Sequence, residues 1–108
     1  MMTIAWPAVI HYAGQHELAY VRDAATWEAD PHLHGCAYVD ADRMIDSDGA
    51  IYSLRATADG RVLPQPTGKQ LPVTEMIALI REHEAEMGTC CVAKFHAATI
   101  REAISALA

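Results

Sequence analysis

His32, His34 and Cys36 are spaced by two, and on an extended chain their side chains share one face. Imidazole nitrogen and thiolate sulfur are good ligands for zinc or copper, and His11, His16 or His96 could complete a set. Against this, a spacing of two is not the signature of a closed zinc site. Pro31 and Gly35 lie within or beside the segment, which reads equally as a polar connection holding one small buried cysteine. Cys90, Cys91 and His96 raise a second possibility, a thiol nucleophile with its base. In a strand the two cysteines point to opposite faces, and His96 lies six residues from Cys90, roughly 20 Å along the chain. A base would have to come from elsewhere, for example His83. Core packing is the ordinary use of such cysteines, and no Cys-x-x-Cys redox motif is present.

The carboxylates invite a calcium reading that fails on inspection. With Asp46, Asp48 and Gly49 as positions 3, 5 and 6 of an EF-hand loop, position 1 is Met44 and position 12 is Arg55. A hard cation needs oxygen at both, so Asp40, Asp42, Asp46 and Asp48 are expected to serve turns and a solvated acidic face. His83 falls on the apolar stripe of a helix otherwise lined by Arg81, Glu82, Glu84 and Glu86, and is expected to be a satisfied, half-buried histidine. A glycine-rich phosphate loop, a Gly-x-Ser-x-Gly elbow, a His-Glu-x-x-His pair and a dinucleotide fingerprint are all missing from the sequence. No catalytic residue and no cofactor are assigned from the sequence.

The elements that would position these residues are legible in outline. Residues 9–12 and 18–21 read as strands around Gly14-Gln15-His16. Asp23 caps a short helix from Ala24 to Ala29, anchored by Trp27 and stopped by Asp30-Pro31. Residues 36–39 read as a further short strand. The Asp48-Gly49 and Asp59-Gly60 turns sit between apolar runs and predict a three-stranded meander over about residues 43–64, with Pro64-Gln65-Pro66-Thr67-Gly68 as a loop. Val73, Met76, Ile77, Ile80 and Met87 then repeat at helical spacing, and Gly88 stops that helix. Residues 89–95, apolar on both faces, read as a late strand. Thr99-Ile100-Arg101-Glu102 is a capping box that opens a last helix. The fold expected is α+β: a mostly antiparallel sheet, from two hairpin regions and a late strand, with two amphipathic helices and one short helix on one face.

The chain has 108 residues, enough for a single compact domain over residues 1–108. Hydrophobic residues make up 52% and charged residues 20%, a globular balance. The net charge of −6 repels phosphate backbones and anionic lipids, and the eight Lys and Arg are scattered along the sequence, so neither nucleic acid nor membrane is the expected partner. No apolar run approaches the length of a membrane span, no signal-peptide pattern opens the chain, and three cysteines do not make a disulfide framework. A cytoplasmic protein is expected.

Trp6-Pro7-Ala8 with Ile10, Ile45-Asp46-Ser47-Asp48-Gly49 with Ile51-Tyr52, Cys90-Cys91-Val92-Ala93-Lys94, and Ile100-Arg101-Glu102-Ala103-Ile104 carry a resemblance. Over nearly its whole length the chain resembles a family of small bacterial proteins known only as a domain of unknown function. That resemblance implies a bacterial cytosolic protein and supplies no activity, cofactor or site residue. The first functional expectation is therefore a non-catalytic module that binds a protein partner or forms a homodimer. The second is a metal or thiol site at His32, His34 and Cys36 or at Cys90 and Cys91. The third is a ligand-binding or catalytic pocket between helix and sheet. Lys94 reads either as a functional cation or as an edge charge that deters aggregation.

Overall fold

The segments with strand character pair into one sheet. The computed structural model describes residues 4–35, 38–39, 41–58, 60–88 and 95–108. Strands β1 (Ala8–His11) and β2 (Leu18–Val21) form the first hairpin. Strands β3 (Arg43–Ile45), β4 (Ala50–Ala56) and β5 (Val62–Gln70) form the meander. β1 also pairs with β3, so the five strands run in the order β2-β1-β3-β4-β5, every neighbour antiparallel. The α+β class is as the sequence predicts.

The helices do not all lie on one face, which corrects the expected layering. Along β1, Val9 packs in one apolar cluster while Ala8 and Ile10 pack in another. Ile45 and Met44 on β3 divide the same way, as do Ile51 and Tyr52 on β4. Since neighbouring residues of a strand point to opposite faces, the sheet is buried on both sides. Helices α3 (Val73–Glu86) and α4 (Ile100–Ser105) cover one face through Met76, Ile80, Ile100 and Ile104. Helices α1 (Ala24–Ala29) and α2 (Pro31–Gly35) cover the other through Trp27 and Leu33. The physical reason is Trp27: its ring needs a large apolar surface, and the even-numbered face of β1 and β4 offers one.

Local chemistry sets the helix ends. Asp23 caps α1, its Oδ1 accepting from the Thr26 N–H at 2.7 Å, and hydrogen bonding from Thr26 holds the Asp23 carboxyl below the usual carboxylate range. Pro31 does stop α1, but it also opens α2, because a proline at the first helical position has no N–H to leave unpaired. Thr99 caps α4 by accepting from the Glu102 N–H at 3.1 Å, and Glu102 reaches back to the Ala98 N–H at 3.1 Å. This is the capping box read from the sequence, displaced by one residue in its return bond.

β5 continues through the stretch expected to be a loop. The Thr57 N–H donates to the Arg61 carbonyl at 2.7 Å, which sets the hydrogen-bonding phase of the β4–β5 pair. With Leu54 opposite Pro64 and Tyr52 opposite Pro66, both prolines fall where the backbone nitrogen faces the open edge. Neither costs a ladder bond, and both remove an edge donor. The expected late strand over residues 89–95 lies outside the described residues except for Phe95, which is not in a strand. Of the expected strand over residues 36–39, only Tyr38 and Val39 are described, and neither is extended into the sheet.

Candidate functional site

Among the described residues the buried polar side chains are those of Asp42, Asp46 and Ser47. Asp46, 2% exposed, accepts from the N–H groups of Ala5 (3.1 Å), Asp48 (3.0 Å) and Ala50 (2.9 Å) and from the Tyr52 hydroxyl (3.1 Å). Ser47 donates its hydroxyl to the Pro7 carbonyl at 2.6 Å and its amide to the Ala5 carbonyl at 2.8 Å. Asp42 accepts from the Ala13 N–H at 2.6 Å and the Val39 N–H at 2.9 Å. The acidic run thus ties distant backbone segments together, as turn chemistry requires. Burial, reinforced by the Asp46 carboxylate, pushes the Tyr52 hydroxyl above its ordinary value, so it stays a donor.

The histidines are engaged in the same manner. His34 donates from Nε2 to the Trp27 carbonyl at 2.9 Å and accepts at Nδ1 from the Val62 N–H at 3.0 Å, with its ring 4.9 Å from that of Trp27. It brackets α1, α2 and the start of β5, and a metal bound there has to displace one of these bonds. The segment is helical, not extended, which turns His32 and His34 about 200° apart around the axis. His32 is exposed, and Cys36 lies outside the described residues. Among the described residues no three of His, Cys, Asp and Glu converge in a metal-binding group. Cys90, Cys91 and Lys94 lie outside the described residues, and His96 is exposed. His83 is half-buried and accepts the Leu18 N–H at Nδ1, 2.9 Å away, which stops up the first donor of the β2 edge.

His11 carries a consequence for pH. Its Nε2 bonds to the Gln15 carbonyl at 3.2 Å and its Nδ1 faces Arg43 Nε at 3.4 Å. Burial, then the Arg43 charge, lowers its pKa from the ordinary 6.5. The folded state therefore favours neutral imidazole, and below pH 6.5 the unfolded chain binds the proton more readily. The stability difference between the wild type and His11→Gln should shift against the wild type as pH falls from neutrality through the depressed folded-state value. Urea midpoints of the two proteins across that window test this, and a difference independent of pH would refute it.

Two surface features remain after these structural duties. Ile4, Trp6, Ala24, Trp27, Glu28, Leu63 and Pro64 line an open hollow of ≈ 170 Å³ where the amino-terminal segment, α1 and β5 meet. Its walls are largely apolar and include both tryptophans of the chain. The Arg101 guanidinium fixes the Trp6 backbone by donating to its carbonyl at 2.9 Å, and Arg61 does the same for the Glu28 carbonyl at 3.1 Å. The second feature is the stretch of sheet face beyond α3 and α4, where Ala41, Asp42, Arg43, Ile51, Tyr52, Ser53, Thr67 and Lys69 line a hollow of ≈ 200 Å³. Sequence reading singled out neither. In the sequence Trp27 reads as a helix anchor and Trp6 enters only through the family resemblance, and the cations come together only through strand register.

Fold and surface together define a class: a small α+β domain with helices on both faces of a five-stranded antiparallel sheet and open surface hollows. No helix among the described residues is long and apolar enough to cross a membrane. The chain belongs to the family DUF4144, described as a protein structure with unknown function, whose model matches residues 6–107. It is similar to a protein from Shewanella amazonensis solved by NMR, with a TM-score of 0.69 and 26% sequence identity, over 99% of this chain and 90% of that one. No curated protein matches it.

Proposed function

We propose that this domain is a non-catalytic module that binds a protein partner, taking an apolar side chain of that partner into the hollow between Trp6 and Trp27. The observation that carries this reading is the composition of the hollow: two tryptophans, Ile4, Leu63 and Pro64, with Glu28 the one charged residue among its lining. Trp is the residue type most enriched where binding energy concentrates, and such anchors fill pockets of single-side-chain scale. Leu63, 46% exposed, stands at the rim. The engagement of Asp42, Asp46 and Ser47 with backbone groups supports a structural use of the buried polar atoms. His11, Asp23 and Tyr52, whose protonation equilibria are shifted, lie on β1, before α1 and on β4, rather than gathered in one cleft.

Peptides selected from a random library against the immobilised domain test this. The selected sequences should share one large apolar residue and should alter tryptophan emission on binding, since both tryptophans line the hollow. Trp6→Ala should weaken them at least about tenfold, the scale of one interface anchor. Ala24→Tyr, which fills the rim from an exposed position, should do the same with the core intact. Peptides that leave tryptophan emission unchanged and bind both variants as tightly as the wild type would rule the hollow out. Concentration-dependent dimerisation abolished by the same two substitutions would identify the occupant as a second copy.

A further inference from the structure

The molecule carries net charge −6 and only eight Lys and Arg, yet three of the eight, Arg43, Arg55 and Lys69, stand on one open stretch of sheet. Register puts them there. Arg43 is opposite Ser53, and Ser53 is opposite Gln65, so the three form one row across β3, β4 and β5. Arg55, two residues along β4 from Ser53, points to the same face. Lys69 and Thr67 join Arg43 and Ser53 around the ≈ 200 Å³ hollow. This face belongs to the side that α3 and α4 cover at Val9, Ile45 and Ile51, but the helices leave Arg55 of β4 and Gln65, Thr67 and Lys69 of β5 exposed. No ion pair of the described residues involves Arg43, Arg55 or Lys69. Asp42 is the one carboxylate among the residues of the hollow, and its oxygens are turned to the Ala13 and Val39 amides.

We infer that this face binds an acidic peptide segment of a protein partner, laid over the sheet and held by Arg43, Arg55 and Lys69. The inference rests on the reading of the domain as a partner-binding module and gives it a second contact surface. Charge complementarity selects the occupant. Arg55 and Lys69 are roughly 15 Å apart along the strands, too far to clamp one small oxyanion and suited to carboxylates spaced along a chain. Single-stranded nucleic acid would need exposed aromatic platforms for its bases; the one aromatic residue of the hollow, Tyr52, is 5% exposed with its hydroxyl on Asp46, and the exposed side chains around it are Arg55, Leu63, Gln65, Thr67 and Lys69. The occupant lies over the face and does not add a strand at the β5 edge, because Pro64 and Pro66 remove donors there.

Octaglutamate is the probe. Titrated into isotope-labelled protein at low salt, it should shift the amide resonances of Arg43, Ser53, Arg55, Gln65, Thr67 and Lys69, and octaglutamine should not. The double variant Arg55→Glu, Lys69→Glu should weaken binding at least tenfold, and Arg55→Lys, Lys69→Arg should largely retain it; Arg55 and Lys69 are both exposed, so folding is preserved. Raised salt should weaken it as well. No shifts at millimolar peptide, or shifts confined to the Trp6–Trp27 hollow, overturn the inference. So does an oligothymidylate of the same length that binds this face more tightly than octaglutamate. Since the hollow is tested by its own peptides and its own variants, a failure here with those results intact removes the acidic occupant alone.

Discussion

Asp46→Ala should be among the most damaging single substitutions in the domain, costing more than about 3 kcal/mol. The reason is the number of donors that depend on it. The amides of Ala5, Asp48 and Ala50 and the hydroxyl of Tyr52 all donate to its two oxygens, and the carboxylate is 2% exposed. Alanine supplies no acceptor, and a water in the vacated space could accept from only two of the four donors. A domain of this size is stabilised by about 5–15 kcal/mol, so the variant should be partly unfolded in mild denaturant. Tyr52→Phe removes one donor and leaves the carboxylate satisfied by three amides, and should cost only about 1 kcal/mol. Asp46→Asn should fall between them, because its NH₂, placed at the Oδ2 position, would face the Ala5 N–H, while the Tyr52 hydroxyl there can turn to accept from it. Urea midpoints at unchanged m-value decide the order. If Asp46→Ala proved no worse than Tyr52→Phe, Asp46 would be one turn residue among several and not the point where the amino-terminal segment is fastened to the sheet.

That role illustrates what sequence alone conceals. Asp48-Gly49 is legible as a turn because its chemistry is local, and α3 is legible because Val73, Met76, Ile77 and Ile80 repeat at a helical period. The partner of Asp46 at Ala5 is 41 residues away and could not be read from spacing. The burial of the sheet on both faces did leave a signal: Ala8-Val9-Ile10 and Met44-Ile45 are continuous apolar runs, the pattern of a strand covered on both sides. The helical turn at His32 and His34 was hidden because Asp30-Pro31 ends one helix and starts the next with the same residues. β5 was cut short by its prolines, which are acceptable in a strand only once it is known to be an edge. The two surface features were the least legible. Arg43, Arg55 and Lys69 are scattered in sequence and become neighbours by register, and Trp6 meets Trp27 only after the amino-terminal segment is tied down through Asp46 and Ser47.

Gly49→Ala should cost about 3 kcal/mol, and the comparison with Gly60→Ala separates its two causes. Both glycines occupy the left-handed region, with φ of +83° at Gly49 and +81° at Gly60. A side chain at either position incurs the backbone penalty of about 1 kcal/mol. The surroundings differ. Around Gly60 a methyl group would meet nothing within 4 Å, so the backbone penalty should be the whole effect. At Gly49 the methyl would stand 2.9 Å from the Leu71 carbonyl oxygen, 3.2 Å from Ile100 Cδ1 and 3.3 Å from Gln70 Oε1. The Gln70 side chain can swing away, but the Leu71 carbonyl cannot retreat freely, because the Leu71 amide donates to the Gly49 carbonyl at 2.8 Å and joins the end of β5 to the turn before β4. Ile100 is packed in the cluster beneath α4. Relief of the clash therefore either breaks the Gly49–Leu71 bond or moves α4, and adds about 2 kcal/mol to the backbone term. Denaturant midpoints of the two variants should differ accordingly. Equal losses would mean that the turn, and not its contact with Leu71 and α4, sets the requirement for glycine at position 49.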